Sequence, residues 1–281
     1  MHLATDRIRE FLREDVGYGD ITSAALVPGD QKAVARLYYR EPGVASGLEE
    51  AALVFTVLGC EARQLVPDGS SVRAKQTLLE VRGPARALLT GERTALNIVC
   101  RMAGIASQTA EAVRRAASVN PGVRVAATRK TAPGLRDLDK KAVVHGGGDP
   151  HRFRLDDCVL IKDNHLELVP SITEAVRRAR KLVSFTKKIE VEVRTLAEAE
   201  EATQAGAEII MFDNMPPEAI RKALSSLDKR GLREGHVYEA SGGVTLDNVA
   251  EYAASGVDVI SLGSLTHSVR SLDVKLEIEM V

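Results

Sequence analysis

The period of the apolar positions changes near residue 104. Before it, short stretches of differing grammar follow one another. Ile8, Phe11 and Leu12 recur at helical spacing, and residues 33–39 read as a strand. A helix is expected over 48–58, then β-like runs near 62–66 and 77–82, punctuated by Pro67-Asp68-Gly69 and Gly83-Pro84. Residues 85–103 read as a helix, with Leu88, Leu89, Ala95, Leu96 and Val99 apolar. After residue 104 one unit repeats: apolar strand, polar turn, amphipathic helix. The expected strands are 123–128, 158–162, 188–193, 208–212, 236–240 and 258–262. Ser171 with Glu174 and Thr195 with Glu198 match the capping box that starts a helix, and Thr245 is read as a further cap.

Strands alternating with helices imply a parallel sheet, and six or seven such units suit a barrel. The expected fold is α/β: a smaller N-terminal α/β domain over 1–103, then an incomplete, about seven-stranded parallel α/β barrel over 104–267. Residues 268–281 are expected to return to the first domain.

A barrel keeps its chemistry at the C-terminal ends of its strands. There the sequence places Thr128-Arg129-Lys130, Lys162-Asp163-Asn164, Asp213-Asn214, Ser241-Gly242-Gly243 and Gly263-Ser264. Glu190 and Glu192 stand two apart in a strand, so both point to one face, which is read as the barrel interior. Buried carboxylates need cations, donors or a metal. Between Arg129 and Lys162 there are eight Lys/Arg against five Asp/Glu, a fitting place for a multiply charged anion. The same run suits a solvated basic loop. Ser241-Gly242-Gly243, opening onto a helix expected near Thr245, and Gly263-Ser264 read as sites where backbone N–H groups meet a phosphate. Ordinary left-handed turns are the plainer alternative.

Composition narrows the classes. The chain has 281 residues and 44% apolar residues, enough for a sizeable aliphatic core. Aromatics are 4%, Trp is absent and net charge is −1, which argues against a nucleic-acid platform or a membrane-surface binder. Cys60, Cys100 and Cys158 stand far apart and read as reduced thiols of a cytoplasmic protein. No run is long and apolar enough to span a membrane. Residues 1–6 lack the basic and apolar regions of a leader, so none is expected.

Several motifs in one order resemble the quinolinate phosphoribosyltransferase family. They are Glu14-Asp15-Val16-Gly17-Tyr18-Gly19-Asp20, Thr128-Arg129-Lys130-Thr131-Ala132-Pro133-Gly134 and Gly146-Gly147-Gly148 with His151-Arg152. Leu160-Ile161-Lys162-Asp163-Asn164-His165, Glu190-Val191-Glu192-Val193, Phe212-Asp213-Asn214-Met215 and Glu239-Ala240-Ser241-Gly242-Gly243 complete the series. The resemblance covers nearly the whole chain. It implies transfer of phosphoribosyl from phosphoribosyl pyrophosphate to quinolinate with Mg²⁺, giving nicotinate mononucleotide, pyrophosphate and CO₂ for NAD biosynthesis. It also implies a homodimer or a multiple of dimers.

Carried over by motif, Arg129, His151 and Arg152 hold the two quinolinate carboxylates, with Thr128 beside them. Lys130 and Lys162 face phosphoribosyl pyrophosphate. Glu192 and Asp213 orient the ribose hydroxyls and, through water, Mg²⁺. Ser241, Gly242, Gly243, Gly263 and Ser264 bind the 5′-phosphate. Arg93 enters the neighbouring subunit's site. Lys130, Lys162, Glu192 and Asp213 are the expected catalytic set. The chain departs from the commoner pattern at Asp149-Pro150 and at Phe153-Arg154, which bears on the carboxylate roles. Two other readings remain: a paralogue linked to molybdenum transport, and a non-catalytic binder of phosphorylated metabolites.

Overall fold

Ile8 and Leu12 become buried where the first helix, α1 (His2–Val16), packs on a later one. The computed structural model describes residues 2–281. Met1, the first residue of the segment read as carrying no leader, lies outside them. A short helix α2 (Ile21–Leu26) follows, capped by the Asp20 carboxylate, which accepts from the Ser23 N–H at 3.0 Å. Then come β1 (Lys32–Tyr39), β2 (Gly43–Val44), α3 (Leu48–Val57), β3 (Glu61–Gln64), β4 (Ser71–Val72) and β5 (Thr77–Pro84).

The long helix α4 (Ala85–Ala117) follows. It does not stop at residue 103. Gly104 lies inside it, and a Cβ there would meet the Arg270 carbonyl oxygen at 2.2 Å. The glycine serves close approach of two backbones, at a helix cost of about 1 kcal/mol relative to Ala.

From β6 (Arg124–Ala126) onward the chain alternates. It runs α5 (Arg136–His145), β7 (Val159–Ile161), α6 (Asp163–Leu166), α7 (Ile172–Leu182), β8 (Ile189–Val193), α8 (Leu196–Gln204), β9 (Ile209–Asp213) and α9 (Pro217–Lys229). Then come β10 (Val237–Ser241), α10 (Val249–Ala253), β11 (Val259–Ser261), α11 (Ser264–His267) and β12 (Val274–Met280).

The chain divides into two units. The first holds 1–108, 144–147 and 269–281. Its sheet has the order β12-β1-β5-β3, antiparallel throughout, with Leu37 opposite both Leu276 and Leu79. Val144–Gly147, read from sequence as part of the barrel, groups with this unit.

The second unit holds 109–143 and 148–268. Its six strands run parallel in the order β6-β11-β10-β9-β8-β7. Asp149 makes one parallel bridge to Ala126 where a seventh strand would lie. No ladder joins β6 to β7 among the described residues, so the barrel is incomplete. Ile189, Val191 and Val193 face the helices and join a core with Ile172, Val176 and Ala199, while Glu190 and Glu192 take the other face. Ser171 and Thr195 cap α7 and α8 as expected, accepting from Glu174 N–H at 3.1 Å and Glu198 N–H at 3.2 Å. Thr245 does not cap. The helix starts later, at Val249 after Asn248, and the Asn248 side chain accepts from the Thr245 N–H.

Candidate active site

The C-terminal strand ends enclose a cavity of about 480 Å³. Thr128, Arg129, Lys130, His151, Arg152, Lys162, Glu192, Asp213, Ser241, Gly242 and Gly243 all line it. Three residues of the expected set do not. Arg93 is exposed on α4 in the first unit, and Gly263 and Ser264 lie at the start of α11 outside the cavity wall. Gly263 still touches the site indirectly, because a Cβ there would come within 3.3 Å of Lys130 Cδ.

Each wall has its own supports. After β6, the Thr128 hydroxyl accepts from the Lys130 N–H at 3.1 Å, and the Thr266 hydroxyl donates to the Lys130 carbonyl at 3.0 Å. Arg129 keeps a buried Nε without a protein partner. Burial, then the Arg152 and Arg136 charges, lowers its pKa, as expected of a cation awaiting an anion. After β7, the Lys162 ammonium donates to Glu192 Oε1. At the end of β9, Asp213 accepts from Arg194 Nε at 3.4 Å and from Asn214 Nδ2 at 2.9 Å.

After β10, Gly242 has φ +86° and a Cβ there would strike the Asn214 side chain at 2.4 Å, so only glycine fits. Gly243 follows with φ +65°. Two successive left-handed glycines expose backbone rather than side chain to the cavity. The expected helix dipole behind them is missing, because α10 has five residues and begins six positions after Gly243.

The segment 149–157 forms a third wall, held almost wholly by side chains. The Asp149 carboxylate accepts from the His151 N–H at 2.7 Å, and its backbone pairs with Val125 and Ala127. Arg136 donates to the Phe153 carbonyl at 3.0 Å, and Asp157 accepts from the Phe153 and Arg154 N–H groups. The Asp149 side chain therefore shapes this loop, whereas the bonds at Phe153 and Arg154 are main-chain bonds that do not depend on residue type. His151 has φ +53°, a conformation that costs a non-glycine residue about 1–3 kcal/mol.

His151, Glu190 and Glu239 offer ligand atoms within 4.8 Å of one another, close enough to hold a metal ion. The hydrogen bonds decide otherwise. The Arg152 N–H donates to His151 Nδ1 at 2.8 Å, which places the ring proton on Nε2. Nε2–H then donates to Glu239 Oε2 at 3.2 Å, and a metal would need that nitrogen bare. Burial opposes protonation of His151, but the hydrogen bond and charge of Glu239, with Glu190, outweigh it and raise its pKa. Glu190 is fully buried and both its oxygens lack a protein partner. Burial, then the Glu239 carboxylate, pushes Glu190 well above the usual carboxylate range.

Sequence reasoning placed Asn214 and Glu239 in strand-end motifs without giving them a role, and it missed Ala127, Leu160, Met211 and Ser261 as lining residues. The period-2 rule used for Glu190 and Glu192 would have singled out two of these residues. Met211 with Asp213, and Glu239 with Ser241, are the same two-residue steps along interior strands. Leu160 and Ala127 supply apolar wall and carry no signal in residue type.

Position defines the class. The cavity sits where barrel enzymes keep their chemistry, and its basic walls face the carboxylates of Glu192, Asp213 and Glu239, so the protein is an α/β-barrel enzyme for anionic substrates. Residues 105–277 match the family model described as quinolinate phosphoribosyl transferase, C-terminal domain, and residues 20–103 match the corresponding N-terminal domain. A probable nicotinate-nucleotide pyrophosphorylase [carboxylating] from Methanothermobacter thermautotrophicus is 48% identical over 97% of this chain and 98% of that protein. The human nicotinate-nucleotide pyrophosphorylase [carboxylating] is 40% identical over 96% of this chain and 90% of that protein. A crystal structure of NadC from Streptococcus pyogenes superposes with a TM-score of 0.93 at 36% identity, covering 100% of this chain and 98% of that one. The chain belongs to the quinolinate phosphoribosyltransferase family.

Proposed function

We propose that this protein transfers phosphoribosyl from phosphoribosyl pyrophosphate to quinolinate with loss of CO₂. The products are nicotinate mononucleotide, pyrophosphate and CO₂, and the reaction serves NAD biosynthesis. It is the activity of a nicotinate-nucleotide diphosphorylase (carboxylating), a pentosyltransferase. The observation that carries the reading is one cavity holding Arg129, Lys130, Arg152 and Lys162 against Glu192 and Asp213. Two substrates that together bear two carboxylates and three phosphates need such a balance.

Arg129 and Arg152 hold the diacid, since guanidinium matches carboxylate bidentately. Lys130 and Lys162 face the pyrophosphate as point charges. Cleavage of the bond from ribose C1 to pyrophosphate leaves an oxocarbenium-like centre. Positioning of the quinolinate nitrogen and stabilisation of the departing charge supply the rate. Glu192 and Asp213 orient the ribose hydroxyls. Ser241, Gly242 and Gly243 receive the 5′-phosphate on backbone N–H groups, with Gly263 and Ser264 behind. Alkylation makes the ring cationic, so the adjacent carboxylate leaves as CO₂ and the electron pair at C2 takes a proton. No covalent enzyme intermediate is needed.

Mg²⁺ fits the donors available. Glu192 and Asp213 present hard oxygens to the cavity, and both are already engaged by Lys162, Arg194 and Asn214, which favours contact through water. Bound there, the ion would neutralise pyrophosphate charge. Arg93, exposed on α4, is the residue we assign to a neighbouring subunit's site in a homodimer or a multiple of dimers. No helix among the described residues is long and apolar enough to cross a membrane, and we place the enzyme in the cytoplasm.

The test is direct. Purified protein, quinolinate, phosphoribosyl pyrophosphate and Mg²⁺ should yield CO₂ and nicotinate mononucleotide in equal amounts. Absence of both products would overturn the reading.

A further inference from the structure

The Arg152 guanidinium lines the cavity, but its backbone is set from below. The Arg152 N–H donates to His151 Nδ1 at 2.8 Å, and His151 Nε2–H donates to Glu239 Oε2 at 3.2 Å. Both ring nitrogens of His151 are therefore engaged inside the protein. Glu239 is buried in β10, and its other oxygen accepts from the Ser261 hydroxyl on the neighbouring strand β11. Glu190 Oε2 stands 3.8 Å from His151 Nε2 and makes no competing hydrogen bond. From the other side, the buried Lys140 ammonium donates to the carbonyls of Pro150 and Arg152. Three elements, β10, β11 and α5, thus converge on two residues that no ladder holds.

We propose that Glu239 is a positioning residue: acting through the imidazole of His151, it fixes the Arg152 backbone so that the guanidinium meets a carboxylate of the aromatic diacid. The proposal rests on the function assigned above. His151 is the lever, held in a left-handed conformation by the contacts at its two ends. A buried carboxylate that anchors a ring, which in turn anchors a binding residue, keeps geometry that side-chain packing alone does not define. Loss of Glu239 frees the ring, and the wall bearing Arg152 loses its register. The phosphate end of the cavity, on the glycine loop, is untouched.

Glu239→Ala, Glu239→Gln and the wild type separate this role from general stability. The alanine variant should raise KM for quinolinate by about tenfold or more, with kcat and the KM for phosphoribosyl pyrophosphate within about threefold. The glutamine variant retains a carbonyl acceptor for Nε2–H and should recover most of the loss. Amide hydrogen exchange of a peptide covering 149–154 should quicken in the alanine variant and not in the glutamine variant. An unchanged quinolinate KM, an equal rise for both substrates, or unchanged exchange in that peptide would overturn the proposal. Should Glu239→Ala fail to fold, Lys140→Met releases the same segment from its other side and must show the same selective rise in KM; an unselective effect there counts equally against it. A wild type that makes no nicotinate mononucleotide would sink the functional reading, and the exchange comparison would still decide the positioning role.

Discussion

The Lys162 ammonium, just after β7, pairs with the Glu192 carboxylate on the adjacent strand β8, and both line the cavity. Each holds the other ready for substrate. Lys162→Ala should remove a cation that faces the departing pyrophosphate and leave Glu192 without its partner. We expect kcat to fall by about 10²-fold or more, a magnitude typical of a lost electrostatic stabiliser. Circular dichroism and the urea midpoint should stay near wild type, since Lys162 is partly exposed. Near-normal turnover would remove Lys162 from the site.

Arg152 tests bidentate recognition. Arg152→Lys keeps the charge but loses the planar fork. Both Arg152→Lys and Arg152→Ala should raise KM for quinolinate strongly, with the lysine variant recovering less than half of the loss in binding free energy. Steady-state kinetics with each substrate varied in turn will show whether the effect is confined to the diacid.

The Glu190 acid makes stability depend on pH. Burial, then repulsion from Glu239, raises its pKa to about 8 from an ordinary 4.5. Between those values the folded protein keeps a proton that the unfolded chain has lost. Stability should therefore fall as pH rises through this window, by up to about 1.4 kcal/mol per pH unit from this group. Glu190→Gln keeps the shape without the proton. Its urea midpoint should vary less between about pH 5 and 8 than the wild type's, and should exceed it at about pH 8. Parallel pH dependences in the two proteins would contradict the assignment.

Gly104 gives a purely structural prediction. Gly104→Ala improves helix propensity yet drives a methyl into the Arg270 carbonyl. We expect a net loss of about 1–3 kcal/mol, as for other overpacked sites. A variant as stable as the wild type in urea would mean that the chain around Arg270 yields without cost.

Chelation should abolish product formation, and added Mg²⁺ should restore it, with the circular dichroism spectrum unchanged throughout. In the same preparation, single turnover with labelled phosphoribosyl pyrophosphate should leave no label on the protein. Label retained after denaturation would require a covalent intermediate.

Much of this was legible in residue pattern. The parallel strands from 123 onward and the caps at Ser171 and Thr195 follow from period and capping chemistry, and the polar strand ends from the barrel rule. Glu239 was not singled out, although it occupies the same interior position relative to Ser241 that Glu190 holds relative to Glu192. The extension of α4 past Gly104 depends on a contact with Arg270, which lies far away in sequence. Thr245 shows the limit of local signals. Its hydroxyl and spacing suit a cap, but the Asn248 side chain holds the turn and delays the helix. The engagement of His151 at both nitrogens also lay beyond sequence, because it needs the register of β10 against a loop.

The gap in the barrel between β6 and β7 gives the cavity two kinds of wall. Ladder hydrogen bonds tie β8 to β11 to one another, so the wall proposed for the ribose and its 5′-phosphate is bound up with the architecture itself. Residues 150–158 run through the open seam and answer only to side chains such as Lys140, Arg136 and Asp157. Exchanging a few of those side chains should therefore reshape that wall while the laddered wall stays in place.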